Sequence, residues 1–277
     1  MAGQPVNQPG SSDRAVADQV FYRSRDGSLC PTPLAAGPPW LPGTQHGSMI
    51  VALAARAVAG VPSAVPMQLA RLTVDLSRPV PIGATTVRTS VSRDGRRVQV
   101  VDLDVEVEGV VRARASALRI RVEPGLVPAA TLPPAAAPAD LTRTGPDGAA
   151  LPSPLGPDPL WDAHRARWES YAPGEGSVWL RPHCRLVEDE PLTPTVRAAL
   201  VADLIMSGGG LLPPADFVVV NPDLSLLLER PPDGEWINVR SRVRVGPDGL
   251  GQSEGTLHDR TGRFARVCKS LLVSGGS

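Results

Sequence analysis

SMIVALAARAV, residues 48–58, is the stretch on which the reading of this chain turns. It is apolar on nearly every side of a helical projection. A helix without a polar face is usually enclosed by the rest of its domain. The segment therefore predicts a helix over 48–58 wrapped by other structure. The residues after it have a different period. Leu72, Val74 and Leu76 alternate with polar residues, and so do Val101, Leu103, Val105 and Val107, with Asp102, Asp104, Glu106 and Glu108 between and after them. Strict period-two patterning marks half-buried antiparallel strands. The four carboxylates read as a solvated face with no functional role. A long antiparallel sheet around one buried helix is an α+β unit.

The same unit is written a second time. Under a shift of 152 positions Pro42 falls on Pro194, Arg78-Pro79 on Arg230-Pro231, Val87-Arg88 on Val239-Arg240, and Ala113-Arg114 on Ala265-Arg266. The turns Asp94-Gly95 and Asp248-Gly249 differ from that offset by two, as loops tolerate. The second helix has Thr193 as N-cap and Pro194 in its first turn, and is expected to stop at Gly208-Gly209-Gly210. Ten prolines lie between Pro124 and Pro159. Proline removes a donor and breaks both helix and ladder, so this stretch reads as a linker. The expected organisation is a loose tail over 1–19, one unit over 20–123, the linker over 124–159 and a second unit over 160–277.

The chain has 277 residues, with 28 basic and 28 acidic side chains. Zero net charge argues against a nucleic-acid partner. Aromatic residues are 4% of the chain, too few for a base-stacking platform. Cys30, Cys184 and Cys268 are far apart and odd in number, which points to a reducing, cytoplasmic setting. The run Met49–Ala55 ends at Arg56 and is too short to cross a bilayer, so no membrane association is expected. No phosphate loop, dinucleotide fingerprint, HExxH or metal cluster occurs, so no cofactor and no metal are expected.

GTQHGSMIVALAARAV (43–58) and ARLTVDLSRPVPIGATTVRTSVSRDGRRVQVVDLDVEVEG (70–109) resemble the N-terminal half of thioesterase-like double hot-dog proteins of the acyl-CoA thioesterase superfamily. VVNPDLSLLLERPPDGEW (219–236) and ARVCKSLLV (265–273) resemble the C-terminal half. The resemblance implies two hot-dog units whose sheets join side by side. It also implies a tunnel between them for an acyl thioester of CoA or of an acyl carrier protein, with the pantetheine arm along a helix start. Family members hold and activate a water with an Asp, a Thr or Ser, and a Gln. The family's Asp-x6-Arg-Pro spacing is met by Asp223 with Arg230-Pro231. Its Gln position is Lys269 here. Its hydroxyl position falls on Val243 or Arg244, with Ser241 close by. Hot-dog proteins often assemble through sheet edges, so a homo-oligomer is expected.

Thioester hydrolysis needs an activated water and donors for a developing oxyanion. Asp223 is either a general base or the carboxylate of an Asn-Pro-Asp turn. Asp203 lies inside AALVADLIM, where a carboxylate is costly unless it is bonded, paired or functional. Its counterpart at the 152 offset is Val51. His46 stands before the apolar helix, as acid/base or as a cap. Gly47 allows close backbone approach, and Gly47 and Ser48 would offer N–H groups to an oxyanion. Lys269 could bind an anion or act on either Asp. Cys268, its strand neighbour, faces the other way. His164, His183 and His258 are read as surface or structural. The function expected is hydrolysis of acyl-CoA to an acid and CoA. The alternatives are proton transfer, dehydration or cyclisation on a polyketide-like acyl chain, and acyl-ligand carriage without catalysis.

Overall fold

In the computed structural model, residues 19–37, 41–128, 166–182, 184–205, 211–212 and 216–276 are described. Most of the tail, most of the Pro-rich linker, His164, His183 and Gly208–Gly210 lie outside them. The apolar stretch forms α1 (Gly47–Ala59), and Met49 through Ala55 are at most 1% exposed. Burying each of its larger side chains stabilises the fold by about 2 kcal/mol. His46 caps its N-terminus and Gly60 its C-terminus.

The first unit supplies β1 (Val20–Arg25), β2 (Ser28–Pro31), β3 (Met67–Asp75), β4 (Thr85–Asp94), β5 (Val98–Val107) and β6 (Val110–Arg121). The second supplies β7 (Ala166–Ala172), β8 (Glu175–Leu180), β9 (Arg185–Val187), α2 (Pro194–Ala202), β10 (Phe217–Val220), β11 (Asp223–Leu228), β12 (Ile237–Val245), β13 (Leu250–Asp259) and β14 (Gly262–Gly275). The fourteen strands among the described residues belong to one sheet, in the order β7-β8-β12-β13-β14-β11-β3-β6-β5-β4-β2-β1-β9, with β10 also on β14. The sheet curls round both helices, which pack on each other. This is the double hot-dog α+β architecture that the sequence implied.

The units meet in the sheet at the parallel pair β1–β9 and at the antiparallel seam β3–β11, where Thr73 faces Ser225. Their hydroxyls lie 3.1 Å apart across a separation of 152 residues. That separation is the repeat offset, so a pseudo-twofold axis passes between them. The strand starts Thr85, Val98 and Val110 match Ile237, Leu250 and Gly262 at the same offset.

The helices obey a shorter spacing, from Gly47 to Pro194. Two expectations change in consequence. Pro42 opens no helix, lying in a turn before it. Asp203 stands opposite Arg56 rather than Val51, because equivalence follows the helix starts. The end of α2 also differs from expectation. It stops at Ala202, well before the glycines, with Asp203 as its C-cap. Asp203 thus ends the apolar helix instead of lying within it.

One further difference concerns the acidic face of β5. Glu106 is buried against Arg88, with 3.1 Å between them, rather than solvated.

Candidate active site

The loop before α1 is fixed from beneath. The Tyr22 hydroxyl donates to Gln45 Oε1 at 2.6 Å, and Gln45 Nε2 donates to the Pro81 carbonyl and the Thr85 hydroxyl at 2.8 and 3.0 Å. Burial pushes the Tyr22 phenol far up, so it remains a donor. The His46 N–H donates to the Ala35 carbonyl. These bonds present His46 and Gly47 at the start of α1.

His46 Nδ1 accepts from the Ser48 N–H at 3.1 Å and lies 2.7 Å from the Ser48 hydroxyl. A ring nitrogen that accepts from an amide carries no proton, which places the ring proton on Nε2. Nδ1 thus caps the helix, and the ring N–H is on Nε2.

Asp203 reaches this helix start from the end of α2. Its Oδ2 lies 3.8 Å from His46 Nδ1. A Cβ on residue 47 would stand 2.6 Å from the same oxygen, so any larger residue there would push the Asp203 carboxylate aside. The close approach that Gly47 permits is thus made by a side chain of the second unit. Asn221 Nδ2 donates to Asp203 Oδ1 at 3.0 Å.

Lys269 completes the group. Its ammonium donates to the Asp203 main-chain carbonyl at 2.8 Å and lies 3.4 Å from Oδ1. Lys269 is 1% exposed, and burial lowers its pKa against the opposing pull of Asp203. The charges alternate along a line: the positive N-terminus of α1, the Asp203 carboxylate, the Lys269 ammonium, and the negative C-terminus of α2. Such alternation is what makes burial of the ion pair tolerable. Side-chain exposure falls from 23% at His46 to 5% at Asp203, so the site opens on the His46 side.

The other residues singled out in the sequence lie around this group or away from it. Gly47 and Ser48 form the first turn of α1. Asp223 accepts from the Ser270 N–H at 2.7 Å, while its neighbours Leu224 and Leu226 take the core face. Ser241 is buried on the inner face of β12, in line with Val239 and Val243. Cys268 accepts from Gln252 on the outer face, opposite Lys269. His258 lies 3.0 Å from the Thr256 hydroxyl.

Two polar residues of the site were not singled out from sequence. Asn221 was hidden in its Asn-Pro-Asp turn. Ser253 is fully buried on β13, facing Val243 on one side and Lys269 on the other. Its only sequence signal is period-two placement with Gly251. Among the described residues no group of three or more His, Cys, Asp or Glu could hold a metal, and no helix is long and apolar enough to cross a membrane.

A second slot lies at the pseudo-symmetric place, where the start of α2 meets Arg56 of α1. It is a cavity of about 210 Å³ lined by Ala59, Leu186, Val187 and Val196. Arg56 Nε donates to Glu190 at 2.6 Å across it. The residues equivalent to His46, Asp203, Asn221 and Lys269 are Thr193, Arg56, Leu69 and Ala117.

Fold and site together define a double hot-dog protein with a buried Asp203–Lys269 pair set against a helix start of the other unit. A profile of acyl-CoA thioesterase N-terminal domains matches residues 36–120, and one of acyl-CoA thioesterase C-terminal domains matches residues 129–273. The chain belongs to the acyl-CoA thioesterase family. Among solved structures it is similar to a hot-dog protein of unknown function from Alicyclobacillus acidocaldarius, with 16% identity, TM-score 0.68, and coverage of 95% of this chain and 99% of that one. It is similar also to acyl-CoA thioesterase II TesB2 from Mycobacterium marinum, with 16% identity, TM-score 0.62, and coverage of 96% and 98%. The dehydratase domain of PpsC from Mycobacterium tuberculosis, solved with C12:1-CoA, shares 16% identity at TM-score 0.51, covering 83% and 85%. No curated protein matches the chain in sequence.

Proposed function

We propose that this chain hydrolyses acyl-CoA thioesters to a carboxylic acid and CoA, at the slot where α1 meets Asp203. The observation that carries this reading is the placement of a buried carboxylate against a helix N-terminus. Asp203 takes a proton from water, and the water oxygen attacks the thioester carbon. The negative charge that develops on the carbonyl oxygen is met by the Gly47 N–H and the positive end of α1. The C–S bond then breaks as the carbonyl re-forms, and the proton that Asp203 took from water passes to the leaving thiolate, on the open side of the site beside the His46 ring. Lys269 holds Asp203 in place from the far side. Asp223 is assigned to fixing β11 against β14 next to Lys269, rather than to proton transfer.

A second reading rests on Lys269, a cation where the family carries an amide. A buried ammonium beside a carboxylate also suits proton transfer or dehydration on an acyl chain that stays attached to its carrier. The test is release of free thiol from a panel of acyl-CoAs and acyl carrier protein thioesters, with product masses recorded. Thiol release that Asp203→Asn abolishes supports hydrolysis. A folded protein that releases no thiol from any of them overturns it. A chain altered in mass on its carrier then identifies the second reading, and an unaltered bound chain identifies carriage.

A further inference from the structure

We propose that the second slot binds a medium-chain aliphatic carboxylate, with Arg56 holding the head group and the apolar space beside it taking the chain. The inference does not rest on the hydrolytic reading, because it uses none of the residues of the Asp203 site. The slot lies between the last turn of α1 and the start of α2, with a volume of about 210 Å³. Leu186, Val187, Pro191 and Val196 wall it with hydrocarbon. That volume takes roughly seven water-sized groups, hence an alkyl chain of about that many carbons. An apolar cavity with a few placed donors suits a small amphiphile.

The donors are Arg56 and Thr193, which both line the cavity. A guanidinium has five N–H groups. Glu190 accepts two of them, one from Nε at 2.6 Å and one from Nη2. The other Nη2 hydrogen and both on Nη1 have no acceptor among the described residues. They form the end-on edge of the guanidinium, whose spacing matches a second carboxylate. The Thr193 oxygen accepts from the Val196 N–H at 3.3 Å, and its own O–H has no acceptor among the described residues. The Arg56 and Glu190 side chains are 34% and 42% exposed, so the polar end of the slot is open to an entering ligand.

The charge selects the ligand. An alkylammonium would meet Arg56 as a like charge, and an alcohol would leave the end-on edge half filled. In the other slot the residue equivalent to Arg56 is Asp203, which repels a carboxylate. An aliphatic acid is therefore directed to this slot rather than to that one.

Isothermal titration calorimetry of the full chain with octanoate tests the proposal, with octanol and octylamine as controls. Octanoate is expected to bind about tenfold more tightly than either, as charge-assisted hydrogen bonds to an arginine are worth about that much. Arg56→Gln is expected to weaken octanoate by about tenfold. Ala59→Leu adds hydrocarbon to the slot from an exposed position on α1 and should weaken octanoate to a similar extent. Leucine is a good helix former, so this variant keeps the fold where Arg56→Gln might lose it. Glu190→Gln leaves Arg56 an acceptor but removes the like charge beside the ligand, and is expected to tighten octanoate by about threefold. A structural role for the pair alone would not produce tighter binding. Octanoate affinity unchanged in both Arg56→Gln and Ala59→Leu overturns the proposal. So does octanol binding as tightly as octanoate, or a wild-type chain that binds no octanoate.

Discussion

The two slots of this molecule share one scaffold and hold opposite chemistry. In one, the start of α1 faces Asp203, backed by Lys269 and Asn221. In the other, the start of α2 faces Arg56, which Glu190 engages. A carboxylate at a helix N-terminus is electrostatically favoured and can accept a proton from water. An arginine there is opposed by the helix dipole and needs its own acid to neutralise it. The repeat thus has two equivalent places, one holding a carboxylate at a helix start and the other an arginine. The Arg-Pro pairs teach the same lesson. Arg230 is held by Asp259 at 2.8 Å, whereas Arg78, its first-unit counterpart, is exposed. Position 107, equivalent to 259, is a valine.

The comparison breaks most sharply at the two helix-end residues. Asp203→Asn should lower kcat for thiol release by about 1,000-fold, because a positioned base contributes on that order. Arg56→Ala, its mirror, should leave kcat within about twofold. Equal losses at both would mean that both slots work.

The next effect is on stability. Lys269→Met removes the cation from a buried pair and should cost about 3 kcal/mol in chemical denaturation. The double change Asp203→Asn with Lys269→Met should recover much of that. Burial lowers the Lys269 pKa, so the unfolded chain binds the extra proton between the folded value and the ordinary one. This group's contribution to stability therefore rises as pH climbs through that window, and Lys269→Met should flatten the rise.

Gly47→Ala puts a Cβ 2.6 Å from Asp203 Oδ2 and should lower kcat by about 100-fold. The protein should melt near the wild-type temperature, since alanine suits a helix better than glycine.

Asp259→Asn tests the Arg-Pro asymmetry. Burial pushes the Asp259 carboxyl up, but Arg230, the Asp233 N–H and Thr261 outweigh it and hold the pKa at about 2. A depressed carboxylate stabilises above its unfolded value and loses that contribution as pH falls through its folded one. The substitution should cost about 2 kcal/mol at pH 7, and the cost should vanish between about pH 4 and pH 2. Arg78→Ala should do nothing measurable. The smallest effect is expected at Glu190→Ala, about 0.5 kcal/mol, because the Arg56–Glu190 pair is more than a third exposed at Glu190.

Much of the fold was legible in residues 48–58 and in the alternating runs, because burial on all sides and burial on one side leave different periods. The 152 offset was legible too, and the structure gives it a meaning at the Thr73–Ser225 pair. The offset misled at the helices, where the spacing shortens and the Pro42–Pro194 match is coincidence. The site was only partly legible. Asp203 stood out because an acid in an apolar run demands a partner, yet no residue near it marked it as the end of the helix. Asn221 looked like a turn residue, and Ser253 like any small residue in a strand.

What the sequence alone determined is the wrapped helix, the antiparallel strands and their duplication, since hydrophobic period acts locally and needs no knowledge of partners. Tertiary structure decided which acid faces which helix. Lys269 lies 66 residues from Asp203, and His46 belongs to the other unit. A side chain's electrostatic role depends on distances through space, and those are set only when the seam closes.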